Sequence, residues 1–227
     1  MDLSRPDGRP DALPWQERQR RMRETAILDA AADLLAERGY AATSMDEIAA
    51  HVGISKPTLY QHFPSKDAVA IAVMLHRLGH TKADLARAER AVAEGERARP
   101  QLERVLRDAL ARRAGAWSTR VELPRSVIES APEVGAVRRD VWARIGALVD
   151  RAKAEGDCRA DAPTPVIARH LAGLFRGDHS DLVDQGAPPE ALAATLVSLV
   201  FEGLAPREAA AVEPAGGRLD VQRVARR

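Results

Sequence analysis

Gly53 separates two short segments of helical periodicity, and that arrangement leaves this part of the chain few ways to fold. On its N-terminal side, Ser44 and Glu47 have capping-box spacing: the serine hydroxyl can accept an orphan amide while the glutamate reaches back to the cap. Ile48, Ala49 and Val52 follow as one apolar face. Glycine at position 53 supplies a backbone that can enter the left-handed region and stop the helix, and Ile54 can plug the corner beyond it. Ser55 is a second cap, with Lys56 and Pro57 in a first turn where a missing N–H costs little. Leu59 and Phe63, four apart, are expected to face inward, and Lys56, Thr58, Gln61 and His62 to face out. A short helix with a donor-rich exposed side, set against another helix by a glycine turn, can place side chains in a major groove.

The run of residues 44–66, SMDEIAAHVGISKPTLYQHFPSK, resembles the DNA-binding module of the TetR/AcrR family of bacterial repressors. The resemblance lies in Ser44, Ile48-Ala49, Val52-Gly53-Ile54-Ser55, Thr58-Leu59-Tyr60, His62-Phe63 and Ser65-Lys66, in order and at the family's spacing. It implies an all-α chain: an N-terminal three-helix bundle with the helix–turn–helix, then a larger helical ligand-binding and dimerisation domain. It also implies DNA contacts through Ser44, Ser55, Lys56, Pro57, Thr58, Tyr60, Gln61, His62 and Lys66. Lys56, Pro57, Thr58 and His62 match positions that meet base edges or adjacent phosphates. Tyr60 and Lys66 match phosphate contacts, and Gln61 lies between the two classes. The chemistry suits these roles: lysine donates to guanine O6 and N7, and a threonine methyl or proline ring can touch a thymine methyl. A tyrosine hydroxyl and an amine suit phosphate oxygens, which position without specifying.

Charge does not announce such a partner. The formal net charge of the 227 residues is +1. Residues 1–66 hold nine basic side chains (Arg5, Arg9, Arg18, Arg20, Arg21, Arg23, Arg38, Lys56, Lys66) against ten acidic ones (Asp2, Asp7, Asp11, Glu17, Glu24, Asp29, Asp33, Glu37, Asp46, Glu47). Binding must therefore rest on local placement rather than on a basic domain. Arg18, Arg20, Arg21 and Arg23 crowd the start of the first helix, either as phosphate or minor-groove contacts or as a solvated face.

Aromatic residues are only 4% of the chain, which favours a helical core of Ala, Leu and Val over a sheet. Residues 1–14 and 206–227 lack a core pattern and read as tails. A long helix is expected from Trp15, with Ile27, Ala31, Leu34 and Leu35 as its buried stripe and Gly39 beyond its end. Residues 15–64 are read as the DNA-binding domain and 65–205 as the effector-binding and dimerisation domain. Ser65 caps a fourth helix. Residues 83–99, rich in Ala, Arg and Glu, read as either an exposed helical continuation or a linker. Further helices follow around Leu102–Leu110, Val127–Ser130, Val134–Val149 and Val166–Phe175, and a last one carries Leu192, Leu196, Leu199, Val200, Phe201 and Leu204.

Bulky side chains are scarce in the second part, so Trp117, Trp142, His170, Phe175 and His179 are its effector-pocket candidates. His76 and His80 have metal-compatible i, i+4 spacing, but no third ligand is evident in the sequence, and no metal or cofactor is expected. Asp178, His179 and Asp181 form a weaker cluster. Cys158 is the only cysteine, so no intrachain disulfide is possible. No protease, phosphate-loop, hydrolase or dinucleotide fingerprint is present, and the chain is not expected to be an enzyme. The longest aliphatic run, residues 68–75, is too short for a bilayer, which together with the charged N-terminus predicts a cytoplasmic protein.

The expected function is a homodimeric repressor, paired through its last two long helices, that binds a palindromic operator in double-stranded DNA. A small-molecule effector of unknown identity would release it. The alternatives are an effector-independent regulator and, less favoured, a helical enzyme retaining a helix–turn–helix.

Overall fold

The computed structural model describes residues 15–116, 123–175, 182–183 and 185–205, and every regular element among them is helical. In chain order these are α1 (Trp15–Arg38), α2 (Met45–Val52), α3 (Lys56–His62), α4 (Lys66–Ala93), α5 (Ala98–Ala116), α6 (Arg125–Glu129), α7 (Pro132–Ala154), α8 (Thr164–Leu174) and α9 (Pro189–Gly203). The expected tails, together with Trp117 and His179, lie outside the described residues, as does the Asp178–Asp181 cluster.

Two apolar cores organise these helices. The first gathers Ile27, Ala31, Leu34 and Leu35 of α1, Ile48 and Ala49 of α2, Leu59 of α3, and Val69, Ala70 and Val73 of α4. The second gathers Leu85 and Ala88 of α4 with Leu102, Val105 and Leu106 of α5, Ile145 and Leu148 of α7, Ile167 and Leu171 of α8, and Val197 and Phe201 of α9. Helix α4 is thus one unbroken element that supplies both cores. The short helix α6, although it follows α5 in sequence, sends Val127 into the first core together with Leu123.

The stretch 83–99 departs from expectation. It is neither exposed throughout nor a linker: α4 runs to Ala93, and Leu85 and Ala88 are fully buried. Alanine allows close helix approach, so a stripe of one leucine and one alanine seats against α5 and α7 although it holds few large side chains. Ion pairs reinforce the junction. Arg144 of α7 grips Glu89 with Nε and Nη2 at 2.7 and 2.6 Å, and buried Asp84 receives both Arg87 and Arg112. The turn after α4 contains Gly95 at φ 106°. The Ala98 N–H that opens α5 then donates to Glu155 Oε2 at 2.8 Å.

The last helix buries only part of its predicted apolar set. Ala193, Val197 and Phe201 are the buried residues of α9, which packs mainly on α5. Leu192 and Leu196 are half-buried, and Leu199 is 61% exposed. Of the expected residues, Phe201 fills the protomer's own core and Val200 and Leu204 pack against it, while Leu192, Leu196 and Leu199 mark a second apolar face. No helix among the described residues is long and apolar enough to cross a membrane.

Candidate nucleic-acid interface

The helix–turn–helix is assembled by local hydrogen bonds between near neighbours. Ser44 Oγ accepts the Glu47 N–H at 3.2 Å, while Glu47 Oε2 accepts the Ser44 N–H at 2.8 Å, completing the capping box. These bonds from Ser44, with Arg38 adding a smaller effect, hold the Glu47 carboxyl below the usual glutamate range. Gly53 adopts φ 76° and ψ 29°, and its N–H and that of Ile54 return to α2 carbonyls. Ser55 Oγ then accepts the Thr58 N–H at 3.3 Å and lies 2.7 Å from the Thr58 hydroxyl. Leu59 is fully buried, and Phe63 packs half-buried at the core's edge.

Along α3, Lys56, Pro57, Tyr60 and Gln61 are exposed, and Thr58 is half-buried. Tyr60 is 44% exposed, unusual for a large aromatic side chain in a chain with so few. Ser44 and Ser55 are exposed at the two caps. The amine of Lys56 sits 2.7 Å from Asp46 Oδ1 and 3.0 Å from Oδ2, joining the first turns of α3 and α2. That hydrogen bond, with its charge, raises the Lys56 ammonium above its ordinary range.

Two side chains have partners that the sequence did not suggest, and one of them faces inward against expectation. His62 does not face out: its side chain is 12% exposed, and Nδ1 lies 3.4 Å from Glu24 Oε1 on α1. Position 62 ends α3 on the side covered by α1, a contact between residues 38 apart that helical periodicity does not register. Lys66 is half-buried, with Nζ donating to the Tyr40 carbonyl oxygen at 3.0 Å and lying 4.3 Å from the Tyr40 ring centre. Tyr40 itself donates its hydroxyl to Asp67, and burial followed by that hydrogen bond pushes its phenol up to about 12. Sequence reasoning did not anticipate this link of Tyr40 to Lys66 and Asp67.

On α1, Arg20 pairs with Glu24 and Arg21 with Glu17, each at 3.0 Å, while Arg18 and Arg23 are exposed. Trp15 and Met22 are exposed apolar side chains beside them. In the second core region, Trp142 and Phe175 meet edge to face with ring centroids 6.1 Å apart, both half-buried. His170 is exposed on α8. His76 and His80 present Nε2 atoms 3.2 Å apart, and Asp29 lies 3.4 Å from the His76 nitrogen. Among the described residues no group of three donors could hold a metal ion.

Comparison with known proteins bears on this geometry. Residues 27–73 match the model for bacterial regulatory proteins of the tetR family. The HTH-type transcriptional activator FasR of Mycolicibacterium smegmatis is 45% identical over 73 residues, 31% of this chain and 31% of FasR. The chain therefore aligns with about a third of that relative's length. Two solved structures share the fold over most of the chain. One is the transcriptional regulator FadR from Bacillus subtilis in complex with stearoyl-CoA, with a TM-score of 0.60 at 18% identity, covering 79% of this chain and 98% of FadR. The other is AibR in complex with isovaleryl coenzyme A and operator DNA, with a TM-score of 0.60 at 22% identity and the same coverages. The matched residues hold the capped, glycine-turned pair α2–α3: this segment is similar to bacterial regulatory proteins of the tetR family, and the helices beyond it share the fold of the two solved structures.

Proposed function

We propose that this protein is a sequence-specific DNA-binding transcriptional regulator, acting as a homodimer whose operator affinity is set by a small-molecule effector. The observation that carries this reading is α3: a seven-residue helix, capped by Ser55 and seated by Leu59, that exposes Lys56, Pro57, Tyr60 and Gln61. Ser44, Ser55, Lys56, Pro57, Thr58, Tyr60, Gln61 and Lys66 are the DNA contacts in this reading. His62 is a contact only if its Glu24 partner is displaced. Residues 15–64 form the reading head and 65–205 the regulatory part.

One head buries too little surface for tight specific binding, so a two-fold dimer on a palindromic operator is required. The exposed leucine face of α9, together with α8, is the dimerisation surface in this reading. It supplies apolar area that the protomer's own core leaves uncovered.

Effector binding is read as a population shift that moves α4 and with it the heads, so that they no longer match the operator's half-sites. The Trp142–Phe175 pair marks the candidate pocket wall, and Leu123 and Val127 connect the regulatory part to the head core. FadR and AibR were solved with acyl-CoA thioesters, which makes an acyl-CoA the first effector class to test. Repression relieved by effector is our reading of the sign, although the head of FasR, which this one resembles, belongs to an activator.

Selection of bound fragments from random DNA tests the core claim. A two-fold symmetric site, released on adding short- or long-chain acyl-CoA, is the expected result. Recovery of no enriched sequence would overturn the reading.

A further inference from the structure

The reading head has to approach a polyanion with slightly more acid than base, and the structure shows how its cations are held. Arg20 pairs with Glu24, Arg21 with Glu17, and Arg38 with Glu47. On the proposed recognition helix, Lys56 pairs with Asp46. Asp46 belongs to the first turn of α2, where a carboxylate suits the positive end of the helix dipole. Lys56 opens α3, where the same dipole disfavours a cation. The pair therefore offsets an unfavourable placement while spanning the turn. With Nζ within 3.0 Å of both carboxylate oxygens, the ammonium is fixed over Asp46 with donor capacity left for an outside acceptor. The neighbouring Glu47 cannot take over this role, because its carboxylate already serves Ser44 and Arg38.

A lysine with an unopposed charge at this place would be drawn to any phosphate and would release about one counterion whatever the sequence. A lysine bound to a carboxylate brings almost no net charge to the backbone. It can still donate a directed hydrogen bond to a guanine O6 or N7. We propose that Asp46 is a specificity-determining residue: it cancels the charge of Lys56 toward the phosphates and aims its ammonium, so that Lys56 discriminates between bases. This rests on the DNA-binding reading given above.

The test is Asp46→Asn, which keeps the side chain's size and its place in the helix's first turn while removing the charge. Affinity is measured for the selected operator and for a mixed-sequence duplex, between about 50 and 200 mM salt. The variant should bind the mixed-sequence duplex about five- to tenfold more tightly near 0.1 M salt, with the slope of log K against log salt steeper by about 0.9. Its ratio of operator to mixed-sequence affinity should fall. Adding Lys56→Met to Asp46→Asn should return the slope to the wild-type value, and Asp46→Glu should leave it there. An unchanged slope in Asp46→Asn, or weaker binding to both duplexes alike, would overturn the proposal. Failure of the wild-type protein to bind either duplex would instead overturn the DNA-binding reading itself.

Discussion

Lys66 closes against Tyr40, its ammonium 3.0 Å from the tyrosine's own carbonyl oxygen and 4.3 Å from the centre of the ring. Because Tyr40 follows α1 and Lys66 opens α4, this contact fastens the fourth helix to the head as well as presenting a cation near α3. Lys66→Ala should therefore show two effects. A lost hydrogen bond and cation–π contact should lower stability by roughly 1–2 kcal/mol in urea unfolding. Affinity should also fall about equally for all DNA sequences. Tyr60→Phe, which removes only an exposed hydroxyl, should show the second effect without the first.

Tyr40 gives the same contact a pH signature. Its phenol is held up to about 12, so the folded state favours the neutral form. That contribution is complete below the ordinary tyrosine range near 10 and is lost as pH rises through about 12. Tyr40→Phe should remove this alkaline loss of stability and abolish the phenolate absorbance step near pH 12. A step that persists in Tyr40→Phe would assign it elsewhere.

The turn at Gly53 makes a separate prediction. A Cβ there would meet no atom within 4 Å, yet φ is +76°. Gly53→Ala should therefore cost about 1–2 kcal/mol through backbone strain alone, read as a lower denaturation midpoint with an unchanged slope.

Much of the head was legible because caps and turns act between near neighbours. Ser44, Gly53, Ser55 and Ser65 each work within a few residues of their partners, so their spacing is their structure. His62 was misjudged because its partner, Glu24, is 38 residues away on another helix. Leu85 and Ala88 were missed for a different reason. Helix packing buries small residues as fully as large ones, and an alanine-rich stretch hides which face is covered. The candidate effector pocket is the least legible part, since Trp142 and Phe175 come together only through the packing of α7 against α8.

The two apolar faces of α9 can be separated experimentally. Phe201→Ala empties the body core and should cost about 3–5 kcal/mol. Leu199→Asp should leave the helical circular dichroism intact but shift the protein from dimer to monomer in sedimentation. A Leu199→Asp protein that remains dimeric would move the interface away from this face.

The Glu47 carboxyl sits below its usual range, so the stability it lends the α2 cap is present at neutral pH and lost as pH falls below about 4.5. Glu47→Gln should flatten the acid side of the head's stability profile and leave the alkaline side unchanged.

Helix α4 has a mechanical consequence. Its 28 residues form a rod of about 42 Å, clamped to the body by Asp84 and Glu89 and to the head by Lys66 and Asp67. Pivoted near its body end, a tilt of ~5° would sweep the far end through about 3–4 Å, close to the 3.4 Å step between successive base pairs. In the regulatory reading proposed above the molecule is geared: an adjustment of a few tenths of an ångström beside the pivot becomes a full base-pair error at the operator.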